Sequence, residues 1–109
     1  MKYAAVCLLL TTHVALADCP ERLQRDPSFM ALAVDDKSPR PSSADDFKFV
    51  GDTTTFDELQ AKVGTPDATK GAHRFLWCLK SGTIVEVELF SAGDIRTVRV
   101  DGKPVYKRK

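Results

Sequence analysis

The chain has 109 residues, 28% charged and 43% hydrophobic, with sixteen Lys and Arg against fifteen Asp and Glu. That length holds one domain. The near balance of charge argues against nucleic acid as the main partner, because a phosphate backbone is held by a basic excess.

The chain opens with MKYAAVCLLLTTHVALA. Lys2 supplies a positive start, Ala4 to Leu10 an apolar centre, and Ala15-Leu16-Ala17 the small residues that a signal peptidase reads. This pattern predicts a cleavable signal peptide over residues 1–17 and a periplasmic or secreted domain. The apolar run is shorter than the roughly 20 residues of a membrane helix, so no stable membrane insertion is expected after cleavage. Asp18 stands before Cys19, where a lipoprotein cleavage site takes a small residue, so no lipid anchor is expected either. Loss of Lys2 leaves the exported chain with no net charge. Loss of Cys7 leaves Cys19 and Cys78, and two cysteines in an oxidising compartment predict one disulfide. The loop it closes corresponds to about 4 kcal/mol in the chain-entropy picture. No asparagine occurs, which excludes N-glycosylation.

Residues 18–46 read as an N-terminal segment and a polar loop, and residues 47–109 as the α+β domain. Asp26-Pro27 suits a helix start, whereas Phe29, Met30, Leu32 and Val34 equally suit a strand, so this stretch stays open between the two. Residues 34–46, VDDKSPRPSSADD, form a Pro- and Ser-rich loop. Phe47 to Val50 is a short extended candidate. Thr55 and Glu58 make a capping-box pattern. Phe56, Leu59 and Val63 follow on one helical stripe, and Gly64 and Pro66 end the helix. From His73 the pattern changes to strands: RFLWCLK, TIVEVELF, IRTVRV and KPVY, separated by Ser81-Gly82, Ser91 to Asp94 and Asp101-Gly102. The expected fold is a short helix, or two, packed on one face of a three- to four-stranded antiparallel meander, with Pro104 marking the last strand as an edge.

A two-residue turn at Ser81-Gly82 places Cys78 opposite Val85. With the later turns it sorts the sheet into two faces. One carries Leu76, Cys78, Val85, Val87, Leu89, Val98, Val100 and Val105 and is expected to lie under the helix. The other carries Phe75, Trp77, Leu79, Ile84, Glu86, Glu88, Phe90, Ile95, Thr97, Arg99 and Tyr106. It pairs Glu86 with Arg99 across neighbouring strands. Aromatic side chains rimmed by charge suit a protein-binding surface, so Phe75, Trp77, Phe90, Tyr106, Glu86 and Arg99 are the candidate binding residues. The alternative is that the apolar N-terminal segment folds over these aromatics.

The stretch GDTTTFDELQAKVGTPD, Gly51 to Asp67, followed by Phe75-Leu76-Trp77 and valine-rich strands, resembles the small outer-membrane lipoprotein family SmpA/OmlA, or BamE. It is also similar to the β-lactamase-inhibitor-protein fold. Gly51, Val63, Gly64, Pro66 and Trp77 carry the likeness, which spans Phe49 to Val100. The resemblance implies an extracytoplasmic binding module with short helices against a curved antiparallel sheet. The chain departs from it in lacking the acylated cysteine and in showing only one clear helix before the sheet.

Few residues offer chemistry. His73 is the only histidine outside the leader, and Cys19 and Cys78 pair with each other, so no metal site or other cofactor is expected. Asp35-Asp36 and Asp45-Asp46 sit in a loop, where carboxylates stay solvated. The basic run Arg96, Arg99, Lys103, Lys107, Arg108 and Lys109 reads as a solvated tail, or as a contact to an anionic surface. The leading expectation is a non-catalytic module that binds a protein partner, with inhibition, toxin immunity or envelope assembly all compatible. The alternative is a small enzyme acting on cell-wall material through Glu86 and Glu88.

Overall fold

The computed structural model describes residues 19–34 and 37–108; the expected leader over 1–17, Asp35-Asp36 and the terminal Lys109 lie outside them. From Cys19 the chain makes a single helical turn, α1 (Glu21–Gln24), then a two-residue strand, β1 (Met30–Ala31). The polar loop ends in a 3-10 turn over Ala44–Phe47, where Ser43 and Asp46 cap one another's backbone N–H groups. Phe47 to Val50 is therefore not extended. The 3-10 turn drives Phe47 into the core and leaves Phe49 exposed beside the Lys62 ammonium.

The expected helix, α2 (Phe56–Val63), is present with both halves of its capping box. The Glu58 N–H donates to Thr55 Oγ1 at 3.1 Å, and the Thr55 N–H donates to Glu58 Oε1 at 2.8 Å. Five strands follow: β2 (Ala68–Lys70), β3 (Arg74–Cys78), β4 (Ile84–Leu89), β5 (Ile95–Val100) and β6 (Lys103–Lys107). They join β1 in one antiparallel sheet whose spatial order is the chain order, β1 to β6.

This corrects the expected α+β fold of a three- to four-stranded meander with helices on one face. The protein is mostly β, with six strands, and α2 is the only helix longer than one turn among the described residues. The two strands missed are two and three residues long, too short to show an alternation.

The register also differs, for a local reason. The hairpin between β3 and β4 closes through Leu79 and Thr83, with the Leu79 N–H donating to the Thr83 carbonyl at 2.9 Å. Its loop therefore has three residues, Lys80, Ser81 and Gly82, and Gly82 takes the positive φ of +92° that such loops require. One extra loop residue slides β3 by one place, so Cys78 pairs with Ile84 and Trp77 with Val85. A one-residue slip exchanges the two faces of a strand. Between β4 and β5 the expected pairs Val85–Val100, Glu86–Arg99 and Val87–Val98 are present. In β6 a bulge at Val105 places Tyr106, not Val105, opposite Val98. Val105 is left 59% exposed on a strand that also carries Pro104 and the exposed Lys103 and Lys107.

The first face consequently holds Phe75, Trp77, Val85, Val87, Val98, Val100 and Tyr106. It is covered by Phe47, Val50, Phe56, Leu59 and Val63. Trp77 is fully buried there, edge-on to Phe47 and Phe56, and its Nε1 donates to the Gly64 carbonyl at 3.1 Å. An aromatic ring brings roughly 150–250 Å² of surface to such a core, several kcal/mol at about 25 cal/mol per Å². The second face carries Ala68, Leu76, Cys78 and Ile84, under Cys19, Leu23, Phe29 and Ala31 of the N-terminal segment. That segment does cover the sheet, but on the face away from the aromatics. Cys19 and Cys78 pin it there as a disulfide with a Cα separation of 4.9 Å.

Gly64 has φ +86°, and a Cβ added there would lie 1.7 Å from the Pro39 carbonyl oxygen. Gly64→Ala is expected to lower stability by about 3 kcal/mol or more, read as the shift of the urea midpoint. Trp77, the only tryptophan, should emit at the short wavelengths of a buried indole and resist acrylamide quenching until the protein unfolds.

Candidate functional site

The corrected register divides the six expected binding residues. Phe75, Trp77 and Tyr106 belong to the packed first face, Trp77 buried and Phe75 and Tyr106 partly buried against the core. Tyr106 keeps its hydroxyl at the rim, donating to Asp52 Oδ1 at 2.6 Å. Partial burial and the Asp52 carboxylate raise the phenol above its usual range. Glu86 and Arg99 lie on the second face, and Phe90 stands just past β4, with the Arg96 guanidinium 5.4 Å from its ring centre.

Around Glu86 and Arg99 the sheet gathers further charges. Arg74 pairs with Glu88 across β3 and β4, and Thr97 pairs with Glu88 across β4 and β5. The contacts form a shared lattice. Arg99 Nη1 lies 3.5 Å from Glu86 Oε2 and 3.3 Å from Glu88 Oε1, while Arg74 Nε lies 3.8 and 3.9 Å from the same two carboxylates. Thr97 donates its hydroxyl to Glu88 Oε1 at 3.1 Å. Partial burial opposes the charge on Glu88, but the Thr97 hydroxyl, the Arg99 guanidinium and the positive field of Arg74 and Arg96 outweigh it. They hold this carboxyl below its usual range.

The N-terminal segment covers only the end of this face near the disulfide. At its margin a groove of about 410 Å³ opens between Leu23, Phe29, Leu76 and Ile84, with Asp26, Glu86 and Asp101 along its sides. The second face thus passes from an apolar groove to an open lattice of charges, and Glu86 belongs to both.

Arg74, Glu88 and Arg96 were not among the expected binding residues. Arg74 follows from the register alone, because once Cys78 faces Ile84, Arg74 must face Glu88. Arg96 is harder to place, because a bulge separates the Glu88–Thr97 and Leu89–Ile95 pairs. An ionised Glu88 held by two guanidinium groups suits electrostatic recognition and is poorly set to release or take a proton near neutral pH. Among the described residues no three His, Cys, Asp or Glu side chains group as metal ligands, and no helix is long and apolar enough to cross a membrane.

Because the folded-state value of Glu88 lies below the ordinary 4.5, its contribution to stability is complete above that value and fades as pH falls through the folded one. Glu88→Gln should therefore be less stable than the parent at neutral pH. The gap should close on acidification below the ordinary carboxylate range, in urea unfolding measured along a pH series.

No protein-family model, curated protein or solved structure matches this chain.

Proposed function

We propose that this chain is an exported, non-catalytic protein-binding module of the bacterial periplasm or envelope. It meets its partner through the open half of the second sheet face. Glu86, Arg99 and Phe90 remain in this role, joined by Arg74, Glu88 and Arg96, while Phe75, Trp77 and Tyr106 serve the core. The observation that carries the reading is the loose lattice itself: two arginines and two glutamates 3.3 to 3.9 Å apart on a rigid sheet, part-exposed and beside an apolar groove. Exposed pairs at such distances add little stability, about 0–1 kcal/mol each. They add much to the specificity of an interface.

The export element of the proposal rests on the leader pattern of residues 1–17 and is supported by the Cys19–Cys78 disulfide, a bond favoured outside the cytoplasm. The kinship with SmpA/OmlA and the β-lactamase-inhibitor-protein fold remains part of the proposal, on the strength of the Gly51–Asp67 motif. Enzyme inhibition, immunity and envelope assembly are the roles compatible with such a module. The competing reading, an enzyme using Glu86 and Glu88, requires one of the two to exchange a proton, and at Glu88 the Thr97 hydroxyl and the arginines favour the charged form.

The test is capture from an envelope fraction by the oxidised chain. Arg99→Glu should weaken capture by about 2 kcal/mol or more, the scale of an interface anchor. Lys48→Glu, the same change of charge on the opposite side of the sheet, should leave it intact. Equal capture by both variants and the parent would remove this surface from consideration.

A further inference from the structure

The molecule contains two kinds of arginine pair, and the contrast between them points to a partner. Arg40 makes the tight kind. Both Asp67 oxygens lie 2.7 Å from its Nη2, and its Nη1 donates to the Thr65 carbonyl at 2.9 Å. Arg74 and Arg99 make the loose kind, each divided between the same two glutamates at 3.3 Å or more. A guanidinium carries five N–H donors in a planar fork, and single contacts at these lengths leave most of that fork unused. The Arg96 guanidinium carbon lies 5.4 Å from the Phe90 ring centre, a cation–π distance, and among the described residues its side chain makes no ion pair. Three arginines thus stand against two glutamates on the open half of this face, while Asp26, Asp101 and Arg22 lie along the groove at its margin. Lys107, paired with Thr97 on the same side, adds to the excess.

From this charge balance we infer that the open half of the second sheet face binds an acidic segment of a protein partner, whose carboxylates take up the spare donor edges of Arg96 and Arg99. The inference rests on the binding-module reading given above and adds the chemistry of the partner. Bidentate pairing of carboxylate with arginine is the tighter geometry, and Arg40 shows a short contact of this class within the fold, with both Asp67 oxygens 2.7 Å from its one Nη2. Glu86 and Glu88 hold the arginines in position while the site is free. A partner segment must displace them from the arginines, which disfavours one that offers too few acids to replace them.

The test uses a fluorescein-labelled peptide of alternating glutamate and leucine, with glutamine–leucine and lysine–leucine peptides as controls, followed by anisotropy on the oxidised protein. Only the glutamate peptide should bind, more weakly as salt rises. The double variant Arg96→Ala/Arg99→Ala should lose at least tenfold in affinity while its Trp77 emission still reports an intact core. Lys103→Ala, on the same strand but paired with Val100 of the first face, should lose much less. A larger loss in the lysine variant would place the binding on the basic C-terminal strand and overturn the inference. So would equal binding of the glutamine peptide, or displacement of the peptide by inorganic sulfate at matched charge. If the glutamate peptide fails to bind while Arg99→Glu still abolishes capture from the envelope fraction, the partner's acidic character is refuted and the binding-module reading stands. If both fail, the surface itself is refuted.

Discussion

The architecture depends on the four-residue turn Gly64 to Asp67, where the helix ends and the sheet begins. Gly64 reaches a φ of +86° and packs against the Pro39 carbonyl, at a distance no side chain permits. Its carbonyl receives the Trp77 indole N–H. Three residues on, Asp67 binds Arg40 through both oxygens, and its Oδ2 also accepts the Cys78 N–H at 2.7 Å. One turn therefore fixes the polar loop, the central tryptophan and the disulfide-bearing end of β3. The Arg40–Asp67 pair is half-buried, and further hydrogen bonds to the Thr65 carbonyl and from the Cys78 N–H support it, the kind of condition under which such a pair stabilises a fold.

The two faces of β3 explain why the sheet needs covers on both sides. Trp77 and Phe75 go to one face, Leu76 and Cys78 to the other, and the last three residues of the strand are buried. A strand buried on both faces belongs in the middle of a sheet. The N-terminal segment meets that need by crossing the second face and adding β1 at the edge, held by the Cys19–Cys78 bond. It reaches β4 only at Ile84 and stops short of the rest of β4 to β6, and that shortfall leaves the charged lattice uncovered.

The residues of α2 were readable because every device for making a helix is local: cap, stripe and stop lie within ten positions. The β4–β5 pairing was also readable, since alternation and opposite charge agreed on Glu86 and Arg99. The face of Trp77 was not. It turns on whether the loop after Cys78 holds two residues or three, and Lys80-Ser81-Gly82 permits both. The Val105 bulge gives no sequence signal beyond the neighbouring Pro104. Half of the candidate site was therefore misplaced by two single-residue offsets. The charged half survived because Glu86 and Arg99 pair across a hairpin whose own bulge restored the simple register. Arg40 and Asp67 are 27 positions apart, and nothing in a linear pattern announces that pair.

The two outer strands carry a consequence for how this protein meets others. At one margin β1 offers only Met30 and Ala31 for pairing. At the other, β6 has an imino acid with no hydrogen to donate, a kink at Val105 and exposed lysines along its length. A foreign polypeptide seeking to extend the sheet finds too little straight backbone on either side. Chains crowded together in the same compartment are thereby kept from stacking margin to margin into fibrils, and recognition is left to side chains.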